Sequence, residues 1–376
     1  MNILADKKQV VVFGVGRMGT AISYAMKKLG YYVIGVDTHE SGATNFRKHI
    51  KGEEGIFYLC DERDYKELLV DYHKPQAVIS SLPYHQTQSL AEFCIDSGIR
   101  YCDLGGRVDV SHNINQYAIQ HAEKPVMTDL GLAPGWVNIL AEQGCREIYD
   151  NVTDVEMMVG GLPSYLRSNL NPLRYGVTWS VDGLINEYRD DCLVLEDGKI
   201  KTVKGMDGLE QIETESLGKL EAFYTSGGAS HSIHSMKTRG VKNCSYKTLR
   251  YIGHGAMVKF LIRDCALDDE TLEKIFLNGC GIAEEDEVII YAKVKAGDKT
   301  WKKERLIQSD CDFSAMQKAT AFPISSVAAI MAEGKMEGDK EQHRDHWIQY
   351  NKSLSYADIP SDLFNDNLNE LFESRQ

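Results

Sequence analysis

Residues Val10 to Asp37 restrict the fold more than any other stretch. An unbroken apolar run, Val10-Val11-Val12-Phe13, breaks into Gly14-Val15-Gly16-Arg17-Met18-Gly19, a complete G-x-G-x-x-G. Met18, Ala21, Ile22, Ala25, Met26 and Leu29 then share one helical face, and Gly30 stands where a left-handed helix cap belongs. A second apolar run, Tyr32-Val33-Ile34-Gly35-Val36, ends in Asp37. Strand, glycines, helix, strand and acid in this register specify a dinucleotide site. Gly14 makes the tight turn, Gly16 admits a pyrophosphate close to the backbone, and Gly19 brings the helix against the sheet. Asp37 accepts hydrogen bonds from the adenosine ribose. That carboxylate repels a 2′-phosphate, and Thr38 and His39 supply no arginine, so NAD is the expected cofactor. Arg17 can meet a phosphate of either dinucleotide and leaves NADP open.

Alternation continues downstream. Gln76 to Ser81 reads as a buried strand, followed by Leu82-Pro83-Tyr84-His85 and a helical pattern through Leu90, Ala91, Cys94 and Ile95. Ile99 to Asp103 and Pro125 to Asp129 read as further strands. Such alternation predicts a Rossmann-type doubly wound parallel sheet, with ligands off the carboxyl ends of its strands. Ser81, Leu82 and Pro83 therefore join Gly14, Val15, Gly16, Arg17, Met18, Gly19 and Asp37 as expected cofactor contacts.

The character changes at Gly131-Leu132-Ala133-Pro134-Gly135. After a helix from Trp136 to about Ile148, Val155, Met157 and Val159 alternate. Asp197-Gly198 and Gly297-Asp298 each sit between runs of strand character and predict hairpins. Residues 134–310 are thus expected to form an α+β domain built on a largely antiparallel sheet. A helical pattern follows from Ser314 to Gly334, interrupted at Pro323, and then a polar tail over 335–376 with a surface helix near Leu363 to Phe372.

Composition narrows the partners. At 376 residues with a net charge of −13, the chain is a poor match for nucleic acid or an anionic membrane. No apolar run approaches the roughly 20 residues that span a bilayer, and Met1 to Lys8 does not read as a signal peptide. Nine scattered cysteines without a C-x-x-C predict reduced thiols and a cytoplasmic setting. His231 with His234, and His343 with His346, lack companion ligands, so no metal site is expected. Edge strands of the antiparallel sheet make a homodimer the expected assembly.

Several segments resemble the saccharopine dehydrogenase family, and within it most of all the lysine epsilon-dehydrogenases. They include Tyr101-Cys102-Asp103, Gly131 to Gly135 with Asn138, and Gly160-Gly161-Leu162-Pro163. The most distinctive are Gly218 to Thr225 and Lys247-Thr248-Leu249-Arg250-Tyr251-Ile252-Gly253-His254. The resemblance implies NAD(P)-dependent oxidation of a carbon–nitrogen bond in a lysine-like amino acid. It also implies a nucleotide-binding domain over 1–133, completed by the helix at about 311–334, with the α+β domain inserted between.

Such chemistry needs a neutral amine, whereas a lysine side chain has a pKa near 10.4, so a base or a desolvated pocket must take its proton. Asp103, ending a strand on the ligand edge, is the first candidate; its alternative is a loop-bonding carboxylate. His254 is the second, and could equally be structural at a helix start. Tyr175 is a weaker third. For the α-carboxylate, a planar guanidinium is suited: Arg250 first, then Arg174, either of which could instead pair at the surface. Glu221 could meet the α-ammonium or turn to solvent. A substrate with a further carboxylate would need another cation, with Arg107 and Arg167 available.

Overall fold

The computed structural model describes residues 7–60, 64–164, 171–283, 285–336 and 353–373. The chain divides into two compact units, Met1–Trp136 with Thr320–Gln376, and Val137–Ala319.

The first unit holds a parallel sheet of β1 (Gln9–Phe13), β2 (Tyr32–Asp37), β3 (Gly55–Leu59), β4 (Ala77–Ser80), β5 (Tyr101–Asp103) and β6 (Val126–Met127). Its order is β3-β2-β1-β4-β5-β6, so the winding reverses between β1 and β4. The loops after those two strands flank that switch point, where such sheets bind ligands. Val10, Val11 and Val12 are completely buried, as a central parallel strand covered on both faces requires. Each such side chain contributes about 1.5–3 kcal/mol of burial.

Two parts of this unit depart from the sequence reading. β3 was not anticipated, although Ile56-Phe57-Tyr58-Leu59 is a short apolar run; Ile56 and Leu59 are exposed and Phe57 and Tyr58 half-buried. The segment expected as polar tail enters the core instead. Leu354 N–H donates to Val126 O (3.0 Å), and helix Ser361–Phe372 buries Phe364, Leu368 and Leu371. Part of that tail, 337–352, with His343 and His346, lies outside the described residues.

The second unit is built on an eight-stranded sheet. Its strands are β7 (Asp154–Pro163), β8 (Asp191–Glu196), β9 (Lys199–Lys204), β10 (Glu210–Thr214), β11 (Gly218–Tyr224), β12 (Asn243–Tyr251), β13 (Asp286–Ala296) and β14 (Lys299–Gln308). β12 runs parallel to β7, and the other pairings are antiparallel. The β8–β9 hairpin turns on Asp197 (φ +49°) and Gly198 (φ +73°), the left-handed pair that a two-residue turn demands. One cluster packs Tyr175, Leu184, Tyr188, Phe223, Val258 and Phe276 together. Helix Val181–Arg189, capped by the Ser180 hydroxyl on Gly183 N–H (3.2 Å), supplies Leu184 and Tyr188 to it.

Helix Ala315–Ala332 runs through Pro323 without interruption. The expected break does not occur, because nearly every side chain around the proline is buried, including Phe322, Ile324 and Val327. Their packing outweighs the backbone bond that proline forfeits.

Candidate dinucleotide and substrate sites

Backbone geometry at the switch point explains each glycine. Gly14 has φ +79°, and a Cβ there would stand 2.7 Å from Ser81 O. A Cβ on Gly19 would meet Gly14 O at 2.0 Å, so the helix can start this close to the turn only without a side chain. Gly16 has nothing within 4 Å of its would-be Cβ, leaving room for a phosphate to approach. Helix Arg17–Lys28 follows with no side-chain cap, so its first N–H groups face that space. Ser81 N–H donates to Phe13 O (2.8 Å), which brings Ser81, Leu82 and Pro83 beside the glycine loop. A cleft lined by Phe13, Val36, Asp37, Thr38, Leu82 and Leu90 lies alongside. Its apolar walls suit an adenine. Asp37 Oδ1 is oriented by His39 N–H (2.8 Å). These residues fit a dinucleotide, which when bound supplies a nicotinamide as hydride acceptor.

At the end of β5, Asp103 is 1 % exposed. Its Oδ1 accepts from Gly105 N–H (2.8 Å) and Asp129 N–H (3.1 Å), while Oδ2 is buried with no hydrogen-bond partner. Burial, with the Asp129 charge adding to it, raises its pKa to about 7 despite those N–H donors.

In the second unit the sequence-predicted residues converge on Arg250, which is 3 % exposed. Its Nε donates to the Tyr188 hydroxyl (2.9 Å) and Nη1 to Leu249 O (2.9 Å). The guanidinium lies over the Tyr175 ring, 4.9 Å from its centroid. His254 Nδ1 donates to Leu173 O (2.8 Å), which leaves Nε2 to accept from the Tyr188 hydroxyl at 3.0 Å. Burial, reinforced by the Arg250 charge, holds the His254 pKa at about 3. His254 thus favours the neutral form, and its Nε2 orients the Tyr188 hydroxyl. Burial raises the Tyr175 pKa, and its hydroxyl and that of Thr178 are buried.

Glu221 is turned inward rather than to solvent, and its oxygens accept at the turn into the helix at His254, from Gly253 N–H (2.9 Å) and Gly255 N–H. Arg174 is exposed, at φ +49°, and about 3.9 Å from where a Cβ on Gly253 would lie. The acid near Arg250 is Glu187, half-buried, its pKa raised to about 7 by burial against the opposing pull of Arg250.

Two family models match the chain. The saccharopine dehydrogenase NADP binding domain matches residues 10–127, and the saccharopine dehydrogenase C-terminal domain matches residues 131–344. The chain belongs to the saccharopine dehydrogenase family. Rat mitochondrial alpha-aminoadipic semialdehyde synthase is 27 % identical over 210 residues, 54 % of this chain and 22 % of that protein. The saccharopine dehydrogenase [NADP(+), L-glutamate-forming] of Schizosaccharomyces pombe is 24 % identical over 239 residues, 62 % of this chain and 52 % of that one. The matches thus span about half or less of the relatives' lengths. Apo saccharopine dehydrogenase (L-Glu forming) from Saccharomyces cerevisiae shares the fold, with a TM-score of 0.70 at 16 % identity over 96 % of both chains.

Sequence reading did not single out Tyr188 or Glu187. Tyr188 lies on an amphipathic helix with no motif of its own, and only packing shows that it touches Arg250. Asp129 did fall on the predicted ligand edge, and its φ of +62° at a non-glycine residue marks it further. Among the described residues no helix is long and apolar enough to cross a membrane.

Proposed function

We propose that the protein oxidises the terminal carbon–nitrogen bond of L-lysine, with NAD as acceptor, giving the semialdehyde and ammonia. The observation that carries this reading is Arg250: a guanidinium buried in the second unit, stacked on Tyr175 and oriented by Tyr188. Desolvated and fixed in this way, it is suited to hold an amino acid's α-carboxylate. The two bonds it makes use Nε and Nη1, so Nη2 is the corner that would grip the carboxylate. Glu187, the acid that interacts with Arg250, is the group assigned to the α-ammonium in this reading. Asp37 favours NAD, although the matching family model is described as NADP-binding.

A second reading, oxidation of a secondary amine joining lysine to a dicarboxylic acid, is favoured by the names of the aligned relatives. That substrate carries a further carboxylate and asks for a further cation. Arg107 is engaged in a two-point pair with Asp109, at 2.9 Å twice, and Arg167 lies outside the described residues.

The test is NAD and NADP reduction with lysine, saccharopine and short diamines, with ammonia assayed in parallel. Lysine-dependent NADH formation with equimolar ammonia supports the proposal. Turnover of saccharopine alone, without ammonia, overturns it.

A further inference from the structure

The buried carboxyl at the end of β5 does not stand alone. Asp129, just beyond β6, is 5 % exposed and donates its N–H to Asp103 Oδ1 (3.1 Å). Three features hold it in its left-handed conformation. The Ser111 hydroxyl donates to Asp129 Oδ1 at 2.6 Å. The Tyr356 hydroxyl donates to the Asp129 carbonyl at 2.8 Å, from 227 positions away in sequence. Gly105 leaves space for the carboxylate, since a Cβ there would lie 2.3 Å from Asp129 Oδ1. The titratable groups facing Asp103 are Asp129, Tyr101 and Cys102, and none is cationic. Asp103 Oδ2, meanwhile, is a buried acceptor that nothing in the described chain satisfies. Such an atom is costly to keep unless a ligand or a proton uses it.

We propose that Asp103 and Asp129 act as one acid pair that takes up the proton lost by the substrate ammonium, with Ser111 and Tyr356 as the residues that position Asp129. The inference rests on the amine-oxidising reading above. In the step, an N–H bond of the ammonium breaks and an O–H bond forms on Asp103 Oδ2. The lone pair left on nitrogen is what a hydride acceptor such as a nicotinamide dinucleotide, when bound, would require of the substrate. The neighbouring Asp129 charge adds to burial in favouring the protonated form of Asp103. Tyr356 thereby links the C-terminal segment to the ligand edge of the sheet.

The experiment uses the full chain labelled with 13C at aspartate Cγ, as wild type, D103N, D129N and Y356F. Carboxyl resonances are titrated by NMR, and NADH binding is measured to verify the fold. Wild type should show a carboxyl titrating near pH 7 that vanishes in D103N. In D129N it should move down by about one pH unit or more, and in Y356F by a smaller amount. The acid limb of kcat/KM with the amine substrate should move in parallel. The proposal is overturned if no aspartate of wild type titrates above the ordinary carboxylate range. It is equally overturned if D129N leaves the titration in place while NADH binds normally. The NMR arm needs no substrate, so an error in the substrate reading would leave it standing.

Discussion

Nε2 of His254 lies 3.0 Å from the Tyr188 hydroxyl, and this bond sets the direction of a buried chain. Leu173 O fixes the histidine tautomer, the histidine fixes the hydroxyl proton, and the phenolic oxygen is left to accept from Arg250 Nε. Y188F keeps the ring and removes the oxygen, leaving two buried groups without their partner. The loss of about 1–3 kcal/mol expected for a buried unsatisfied donor should appear as a roughly 10-fold rise in KM for the amino acid. NADH binding should be unchanged, because the dinucleotide loop lies in the other unit. Steady-state kinetics with fluorescence titration checks this; an unchanged KM would remove the hydroxyl from the substrate site.

R250K keeps a charge but loses both the planar stack on Tyr175 and the Nε bond. An ammonium in that space cannot reproduce the fork. The expected result is a fall in kcat/KM of about 100-fold with correctly folded protein, as judged by circular dichroism and retained NADH binding. Near-wild-type turnover would disprove carboxylate capture at this position.

Asp103 and His254 make opposite demands on pH. Folding raises the Asp103 pKa to about 7, so its contribution to stability is fully present below the ordinary aspartate value of about 3.9 and is lost as the pH rises from there through 7. D103N keeps an Oδ1 acceptor and removes the charge. Its melting temperature should exceed wild type at pH 8.5 and converge with wild type only below about pH 4. Folding lowers the His254 pKa to about 3. Its contribution is therefore present above the ordinary histidine value and lost as the pH falls towards 3, and H254Q should flatten that acid loss. Thermal melts across pH, with NADH added to identify the first unit's transition, measure both.

Asp37 closes β2 beside the apolar cleft. D37S removes the charge that opposes a 2′-phosphate, and the ratio of kcat/KM for NADP over NAD should rise by roughly 10-fold or more. An unaltered ratio would place cofactor choice elsewhere in the loop.

Much of the first unit could be read from the chain because its signals are local. A completely buried strand must be apolar throughout, and a phosphate turn must dispense with side chains at Gly14 and Gly19, so both leave marks within a few residues. Both hairpins were equally readable, since Gly198 and Gly297 have positive φ. β3 was passed over although Ile56-Phe57-Tyr58-Leu59 is apolar, because so short a run without alternation does not by itself separate strand from helix. Helix Ala315–Ala332 passed through Pro323 because packing, which local rules do not see, compensated the lost bond.

The sequence by itself determined the dinucleotide loop and the alternating architecture, properties that neighbouring residues encode together. Tertiary structure alone decided what each polar side chain does. Glu221 caps a helix, His254 is locked neutral, and Tyr188 meets Arg250 across 62 positions. The physical reason is that a side chain's charge state and hydrogen-bond direction depend on burial and on partners brought in from distant segments, and residue type alone specifies neither.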